Sequence, residues 1–149
     1  MKAMLVCSSG GHLAQLLNLR PWWSELERVW VTFETPEVES LLDGERVLWA
    51  RHPTTRNLPN AGRNLLLAWR SLRRERPDVV VSDGAGVAVP FFLVAKVLGI
   101  HTVYIEVVDR VAMRTLTGRL CYPMTDLFCV QHEEQRRLYP RAEPIGPLL

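Results

Sequence analysis

The sequence predicts an α/β fold: a Rossmann-like parallel sheet of about six to seven strands with helices on both faces. Three observations predict it. Short β-branched runs alternate with stretches of helical spacing along the whole chain. One run, residues 78–82 (DVVVS), holds three consecutive valines, as suits a strand buried on both faces. Glycine-rich turns follow two of the strands, at residues 8–12 and 83–86, where a parallel sheet places its ligands.

The elements follow in order. Residues 2–7 (KAMLVC) read as the first strand, and Ser8-Ser9-Gly10-Gly11-His12 as the turn after it. Leu13, Leu16, Leu17 and Leu19 follow at helical spacing until Pro21 interrupts them. Residues 28–33 (RVWVTF) form a second strand. Pro36 opens a short helix that closes near Gly44, and residues 46–49 (RVLW) form a third strand. A polar loop at 51–60 leads to a helix over 61–76. Leu65, Leu66, Trp69 and Leu72 make its core face, arginines fill the rest, and Pro77 stops it. The fourth strand and its Asp83-Gly84-Ala85-Gly86 turn lead into an apolar helix ending at Gly99. Residues 102–105 form a fifth strand, 113–122 a helix, 126–130 a sixth strand, 131–139 a polar turn or helix, and 142–146 a last short strand. No internal repeat or linker divides residues 1–149, so they read as a single domain.

Composition narrows the function. The 149 residues are 48% hydrophobic with a net charge of +2, which excludes a disordered chain and gives no general polyanion affinity. Cys7, Cys121 and Cys129 have neither disulfide-framework nor metal-ligand spacing, and His52, His101 and His132 are dispersed, so no metal site is expected. No nucleic-acid signature appears, and the five tryptophans read as packing. The apolar run 84–95 has twelve residues before Lys96, short of the ~20 that span a bilayer. Charge is uneven, however. Seven acidic residues face one arginine over 25–45, and seven arginines face one glutamate over 51–76. The second segment suits phosphates or anionic lipid, or is simply a solvated helix face.

The glycine turns carry the chemistry. Gly10 and Gly11 let the backbone approach a ligand, and the helix behind them offers free N–H groups to a phosphate. Neither the Walker pattern nor G-x-G-x-x-G is present, so nucleotide-cofactor binding is not expected, although Glu34 stands where a ribose-binding acid would lie. His12 is a candidate general base, with the helix N-terminus expected to lower its pKa. The alternative is a simple helix cap. Asp83, Gly84, Ala85 and Gly86 repeat the device at the fourth strand. Glu106, just past the fifth strand, suits acid–base work or sugar hydroxyls, or pairs with Arg110.

Taken in order, Cys7 through His12, Ser82 through Pro90, Tyr104-Ile105-Glu106, Arg110-Val111, residues 116–120 (LTGRL) with Tyr122, Val130-Gln131 and Ile145-Gly146-Pro147 resemble the Alg14 family of oligosaccharide biosynthesis and its bacterial PssD-type relatives. The resemblance implies the acceptor-binding, N-terminal half of a GT-B glycosyltransferase split into two polypeptides, similar to the first domain of MurG. A partner subunit would hold the UDP-sugar, and the acceptor would be a sugar on a polyprenyl diphosphate. The reaction would invert the anomeric carbon without metal or cofactor. His12 would be the first candidate base and Glu106 the second. Ser8, Ser9, Gly10, Gly11 and Arg110 would bind the acceptor diphosphate, with Asp83, Gly84, Ala85 and Gly86 on the opposite wall.

A chain that starts directly at its first strand is expected to be cytoplasmic and peripheral on the inner face of the membrane. The arginine-rich segment and residues 90–98 would face the bilayer, and the residues after strand six would meet the partner. The alternative reading is a noncatalytic scaffold that recruits and activates the partner at the membrane.

Overall fold

The computed structural model describes residues 1–54, 57–107 and 112–148. Seven strands form one sheet: β1 (Lys2–Val6), β2 (Glu27–Thr32), β3 (Val47–Trp49), β4 (Val79–Ser82), β5 (His101–Ile105), β6 (Leu127–Val130) and β7 (Glu143–Pro144). Their spatial order is β3-β2-β1-β4-β5-β6-β7, and every neighbouring pair is parallel. The predicted fold class is therefore the observed one. Chain order reverses at β1, which pairs with β2 on one side and β4 on the other, so the crevice beyond these strands is the expected ligand position. Val6 is in register with both Val31 and Ser82. The residues that follow, Cys7, Thr32 and Asp83, consequently emerge side by side at the C-terminal edge.

Two apolar cores lie on the two faces. Leu13 and Leu16 of α1 (Gly11–Leu17), Trp23 of α2 (Arg20–Trp23) and Val38 of α3 (Pro36–Leu41) pack on one face with Trp30. The other is covered by α4 (Leu58–Glu75), α5 (Ala88–Leu98) and α6 (Leu116–Cys121), around Phe91, Phe92, Tyr104 and Phe128. Helix starts differ from the sequence reading for capping reasons. The Asn57 side chain accepts from the Asn60 N–H at 3.0 Å and starts α4 at Leu58, three residues earlier than expected. Thr115 accepts from the Gly118 N–H at 2.9 Å, so α6 starts at Leu116 rather than at Met113.

The largest departure is the rotation of α4. Leu65, Leu66 and Trp69, expected in the core, are 40%, 48% and 39% exposed, and Leu72 alone of the four is enclosed. The buried face instead carries Asn60, Asn64, Ala68, Ser71, Leu72 and Glu75. The cause is the backbone before the helix. Asn64 accepts from the Arg51 N–H at 2.8 Å and donates to the Arg51 carbonyl at 2.9 Å, while Asn60 donates to the Pro53 carbonyl at 2.9 Å. These buried polar groups need partners, and only this rotation supplies them. At the far end of the helix, buried Glu75 gathers Lys2 at 3.2 Å, Arg46 at 2.7 Å and Arg74 at 3.2 Å. Part of the arginine-rich segment is therefore structural. In α5, likewise, Phe91 and Phe92 are core, and Leu93 and Val97 reach the surface.

This rotation predicts opposite outcomes for neighbouring positions. Asn64→Ala leaves both polar groups of the Arg51 backbone unpaired and should cost about 1–3 kcal/mol in urea unfolding. Leu66→Gln should change stability by no more than about 0.5 kcal/mol. The reverse ranking would put the leucine face, not the asparagine face, against the sheet.

Candidate functional site

A polar cavity of about 280 Å³ opens at the C-terminal edge of β1, β4 and β5, lined by His12, Asp83, Ala85, Tyr104, Glu106, Val107, Thr115 and Thr117. The three loops selected from the sequence thus meet in one place. Gly10, with φ 78°, is the N-cap of α1 and makes no side-chain capping bond. His12 does not cap the helix either; it reaches across to β4. Its Nδ1 stands 3.1 Å from the Asp83 main-chain carbonyl and 3.5 Å from the carboxylate Oδ1. A carbonyl only accepts, so Nδ1 carries the proton, and Nε2 is left as the acceptor of the neutral ring. Gly84 makes this approach possible. With φ 122°, it has no Cβ where one would fall 3.0 Å from the Tyr104 hydroxyl and 3.2 Å from His12 Cε1. Ala85 next to it is held at φ 66°, a left-handed conformation that costs an L residue about 1–2 kcal/mol.

Asp83 is wholly enclosed, and neither carboxylate oxygen has a hydrogen-bond partner among the described residues. Burial pushes its carboxyl up to about 6, against the pull of His12. Burial acts in the opposite sense on His12 and would lower it, but the hydrogen bond and charge of Asp83, with the charge of Glu106 behind them, outweigh that and raise it. The expectation that the helix terminus would lower His12 is corrected on this ground. Cys7 lies beside the pair, and burial, then the charge of Asp83, hold its thiol protonated.

Glu106 is also fully enclosed, yet its environment is the opposite of that of Asp83. It accepts from the Val107 N–H at 3.0 Å, from the Thr115 hydroxyl at 3.0 and 3.2 Å, and from the Tyr139 hydroxyl at 2.5 Å. Three donors on one carboxylate tie the β5 loop to the start of α6 and to the segment before β7. Gly118 is built into the same knot: a Cβ there would lie 2.4 Å from the Tyr139 hydroxyl and 2.5 Å from Glu106 Oε2. The glutamines complete the support. Gln131 donates to the Glu106 carbonyl at 2.9 Å and to Gln15 of α1, and Gln135 donates to the Val107 carbonyl at 2.9 Å. Sequence reasoning missed Thr115, Thr117 and Tyr139, and missed the part played by the glutamines. Their signal was a cluster of uncharged polar residues inside segments otherwise packed as core. Arg110, expected as a diphosphate ligand or a partner of Glu106, lies outside the described residues.

Ser8, Ser9 and Gly10 lead from β1 to α1, which Gly11 opens, and none of the four is among the residues lining the polar cavity. A Cβ placed on either glycine would meet nothing within 4 Å. Gly86 packs against Thr54 and is likewise outside the lining of the polar cavity. Beyond Thr117 the surface changes character. An apolar groove of about 650 Å³, walled by Leu65 of α4, Val89, Pro90 and Leu93 of α5 and Leu116 and Leu120 of α6, shares Thr117 with the polar cavity. A second apolar hollow of about 380 Å³ between α4 and α5 shares Leu65 and Leu93 with it and adds Leu66, Trp69 and Val97. No described helix is long and apolar enough to cross a membrane.

The unpartnered carboxylate makes a pH-dependent prediction. The folded chain holds the Asp83 proton more tightly than an ordinary carboxyl of pKa 3.8, so this group's contribution to stability falls as pH rises from 3.8 to about 6. Asp83→Asn should therefore raise the melting temperature near about pH 7.5, by up to about 3 kcal/mol of stability, with the gain vanishing below about pH 4. Thermal unfolding across that range is the check; a gain that persists in acid would assign it to something other than ionisation. Gly118→Ala should cost about 1–3 kcal/mol by opening the Glu106 knot, read in the same experiment.

Known proteins share the sequence pattern and the fold of this chain. Residues 52–148 match the family model described as oligosaccharide biosynthesis protein Alg14 like. The UDP-N-acetylglucosamine transferase subunit ALG14 of Rattus norvegicus is 27% identical over 177 aligned residues, covering 98% of this chain and 82% of that protein. A Moorella thermoacetica UDP-N-acetylglucosamine--N-acetylmuramyl-(pentapeptide) pyrophosphoryl-undecaprenol N-acetylglucosamine transferase is 32% identical over 114 residues, covering 76% of this chain and 29% of the enzyme. Among solved structures, Acinetobacter baumannii MurG superposes with a TM-score of 0.76 at 18% identity, and the UDP-GlcNAc 2-epimerase of Methanocaldococcus jannaschii with 0.73 at 16%. This chain covers 99% and 95% of itself in those superpositions but spans only 46% and 42% of the two proteins, and at such identities the likeness is one of fold. With well over half of its length matched by the family model, the chain belongs to the Alg14-like family of oligosaccharide biosynthesis proteins.

Proposed function

We propose that this chain is the acceptor- and membrane-side subunit of a two-component inverting glycosyltransferase. The sugar would move from a UDP-sugar held by a partner subunit to a sugar carried on a polyprenyl diphosphate. One observation carries the reading: a polar cavity holding His12 and Asp83 runs through Thr117 into an apolar groove. An acceptor with hydroxyls at one end and a lipid at the other matches both halves. The name of the rat relative, a UDP-N-acetylglucosamine transferase subunit, supports both the donor class and the partner.

In this mechanism the acceptor hydroxyl attacks the anomeric carbon as Nε2 of His12 removes its proton, and UDP leaves on the partner's side. Asp83 keeps the Nδ1 proton in place and stabilises the imidazolium that forms. Glu106, already accepting three hydrogen bonds, braces the cavity wall rather than taking the proton. The open backbone at Ser9, Gly10 and Gly11, with the Ser8 hydroxyl and the positive end of α1, meets the diphosphate. Asp83 and Ala85 line the facing wall, with Gly84 between them in the same turn.

Membrane contact is peripheral, at the cytoplasmic face. Leu65, Leu66, Trp69, Leu93 and Val97 present an outward apolar surface, with Arg63, Arg70, Arg73, Lys96 and Arg119 exposed around it. Each basic side chain near an anionic surface adds about 1 kcal/mol.

Reconstitution with the partner, a UDP-sugar series and a polyprenyl-diphosphate sugar tests the whole reading. His12→Ala should lower kcat by about 10²–10⁴. Asp83→Asn should lower kcat and move the acid limb of the pH–rate profile to lower pH, because the charge that raises His12 is gone. A wild-type rate for His12→Ala, with partner and lipid binding intact, would favour the noncatalytic recruiting role. Leu66→Glu with Trp69→Glu should release the chain from anionic vesicles and spare turnover on a short-chain soluble acceptor.

A further inference from the structure

The helix that carries His12 is short and weakly anchored by its own sequence. α1 has seven residues, and its N-cap, Gly10, makes no side-chain capping bond. A helix of that length is marginal by itself, so tertiary contacts decide where it sits. Leu13 and Leu16 supply one kind of contact, burial in the core beneath. Apolar burial is non-directional. It sets how deep the helix lies, but neither its rotation about its own axis nor its slide along that axis. Directional contacts must fix those two.

They come from one polar stripe. His12, Gln15 and Asn18 follow one another at three-residue spacing and so share an edge of the helix. Each is bonded to a different part of the chain. His12 meets Asp83 after β4, Gln15 accepts from Nε2 of Gln131 after β6, and Asn18 donates to the Leu148 carbonyl. Gln15 and Gln131 are 4% and 2% exposed, and 116 positions of chain separate them.

The Gln131 amide has one possible orientation. The Glu106 carbonyl, 2.9 Å away, only accepts, and the Leu148 N–H, also at 2.9 Å, only donates. Nε2 therefore faces Glu106 and Gln15, and Oε1 faces Leu148. The main-chain N–H of Gln131 is itself held by Gln135 Oε1 at 2.9 Å. With its backbone, its oxygen and one N–H committed elsewhere, the amide has a single direction left, and Gln15 lies along it. A rotation of about 20° would carry an α1 side chain about 1 Å sideways. That is enough to open the 3.1 Å contact between His12 and the Asp83 carbonyl.

We propose that Gln131 is a positioning residue for the transfer reaction: through Gln15 it sets the rotation of α1, which places the His12 ring against Asp83 with Nε2 toward the acceptor. The role in transfer rests on the glycosyl-transfer reading; the placing of the ring does not. The two parts are tested separately.

NMR titration of the histidine rings of the full chain reads the placement without any substrate, with His12 identified by the signals lost in His12→Ala. Among the described residues, the titratable groups facing the ring are Asp83 of the β4 turn and Tyr104 and Glu106 of β5, with Cys7 beside Asp83. Asp83 raises His12, so a ring that slips from Asp83 titrates lower. Gln131→Leu should move the His12 midpoint down toward the ordinary 6.5. Gln15→Leu, which spares the other bonds of Gln131, should move it the same way. The double variant should go no further than Gln131→Leu, because both act through one bond. His52 and His101, remote from the stripe, should keep their midpoints. An unchanged His12 midpoint in Gln15→Leu, the milder variant, would overturn the proposal, as would an equal movement at His52 and His101.

In the reconstituted complex, both variants should lower kcat about 10–100-fold and leave the acceptor KM within about twofold. A raised KM with kcat intact would put the effect at the Glu106 wall and overturn the assignment to His12. An inactive wild-type complex would instead count against the proposed function, with the titration result standing apart from it.

Discussion

An aspartate carboxylate with no hydrogen-bond partner among the described residues, enclosed at the end of the central strand pair, is the constraint around which this cleft is arranged. Leaving such a group unsatisfied is expensive, and burial answers by shifting its proton affinity toward neutrality. The imidazole of His12 reaches it from 71 positions away in the chain. That meeting requires β1 and β4 to be neighbours in register, both turns to contain glycine, and α1 to start where it does. The parallel topology, the positive φ at Gly10 and Gly84, and the strained Ala85 all serve one contact.

Glu106 shows how differently the same kind of group behaves when its neighbours differ. Both carboxylates are buried within one cavity. One has the His12 imidazole beside it and no hydrogen-bond donor among the described residues; the other is saturated by a backbone amide and two hydroxyls. A carboxylate with its acceptor sites filled is a structural tie, whereas one held short of donors stays responsive to a proton. Position past an apolar strand did not separate these roles, and the donor count does.

Much of the architecture was legible in the sequence because alternation of strand and helix patterns is set by local residues. The three valines of β4 and the glycine turns marked both the sheet and its functional edge. The legible part of the site was likewise local: His12, the two loops and Glu106 stand where turn chemistry puts them. The rotation of α4 was not legible. Periodicity counts apolar residues and assigns them inward, but Asn60 and Asn64 are drawn inward by the orphan backbone of residues 51–53, a tertiary demand with no periodic trace. Thr115, Gln131, Gln135 and Tyr139 were hidden for the same reason. Their value lies in what they bond to across 9 to 33 positions of chain, which residue type alone does not reveal.

The Glu106 knot also limits how this region can drift over generations. Glu106, Thr115 and Tyr139 occupy the space where a side chain at position 118 would be, and Gly118 leaves that space to them. No one of the four can be exchanged alone without stranding a hydroxyl, exposing a charge or creating a clash. A lineage that altered the set would have to pass through several coupled substitutions at once. The groove wall made by α6 therefore inherits a ratchet: its groove-lining leucines are free to vary, but the anchor that aims them is not.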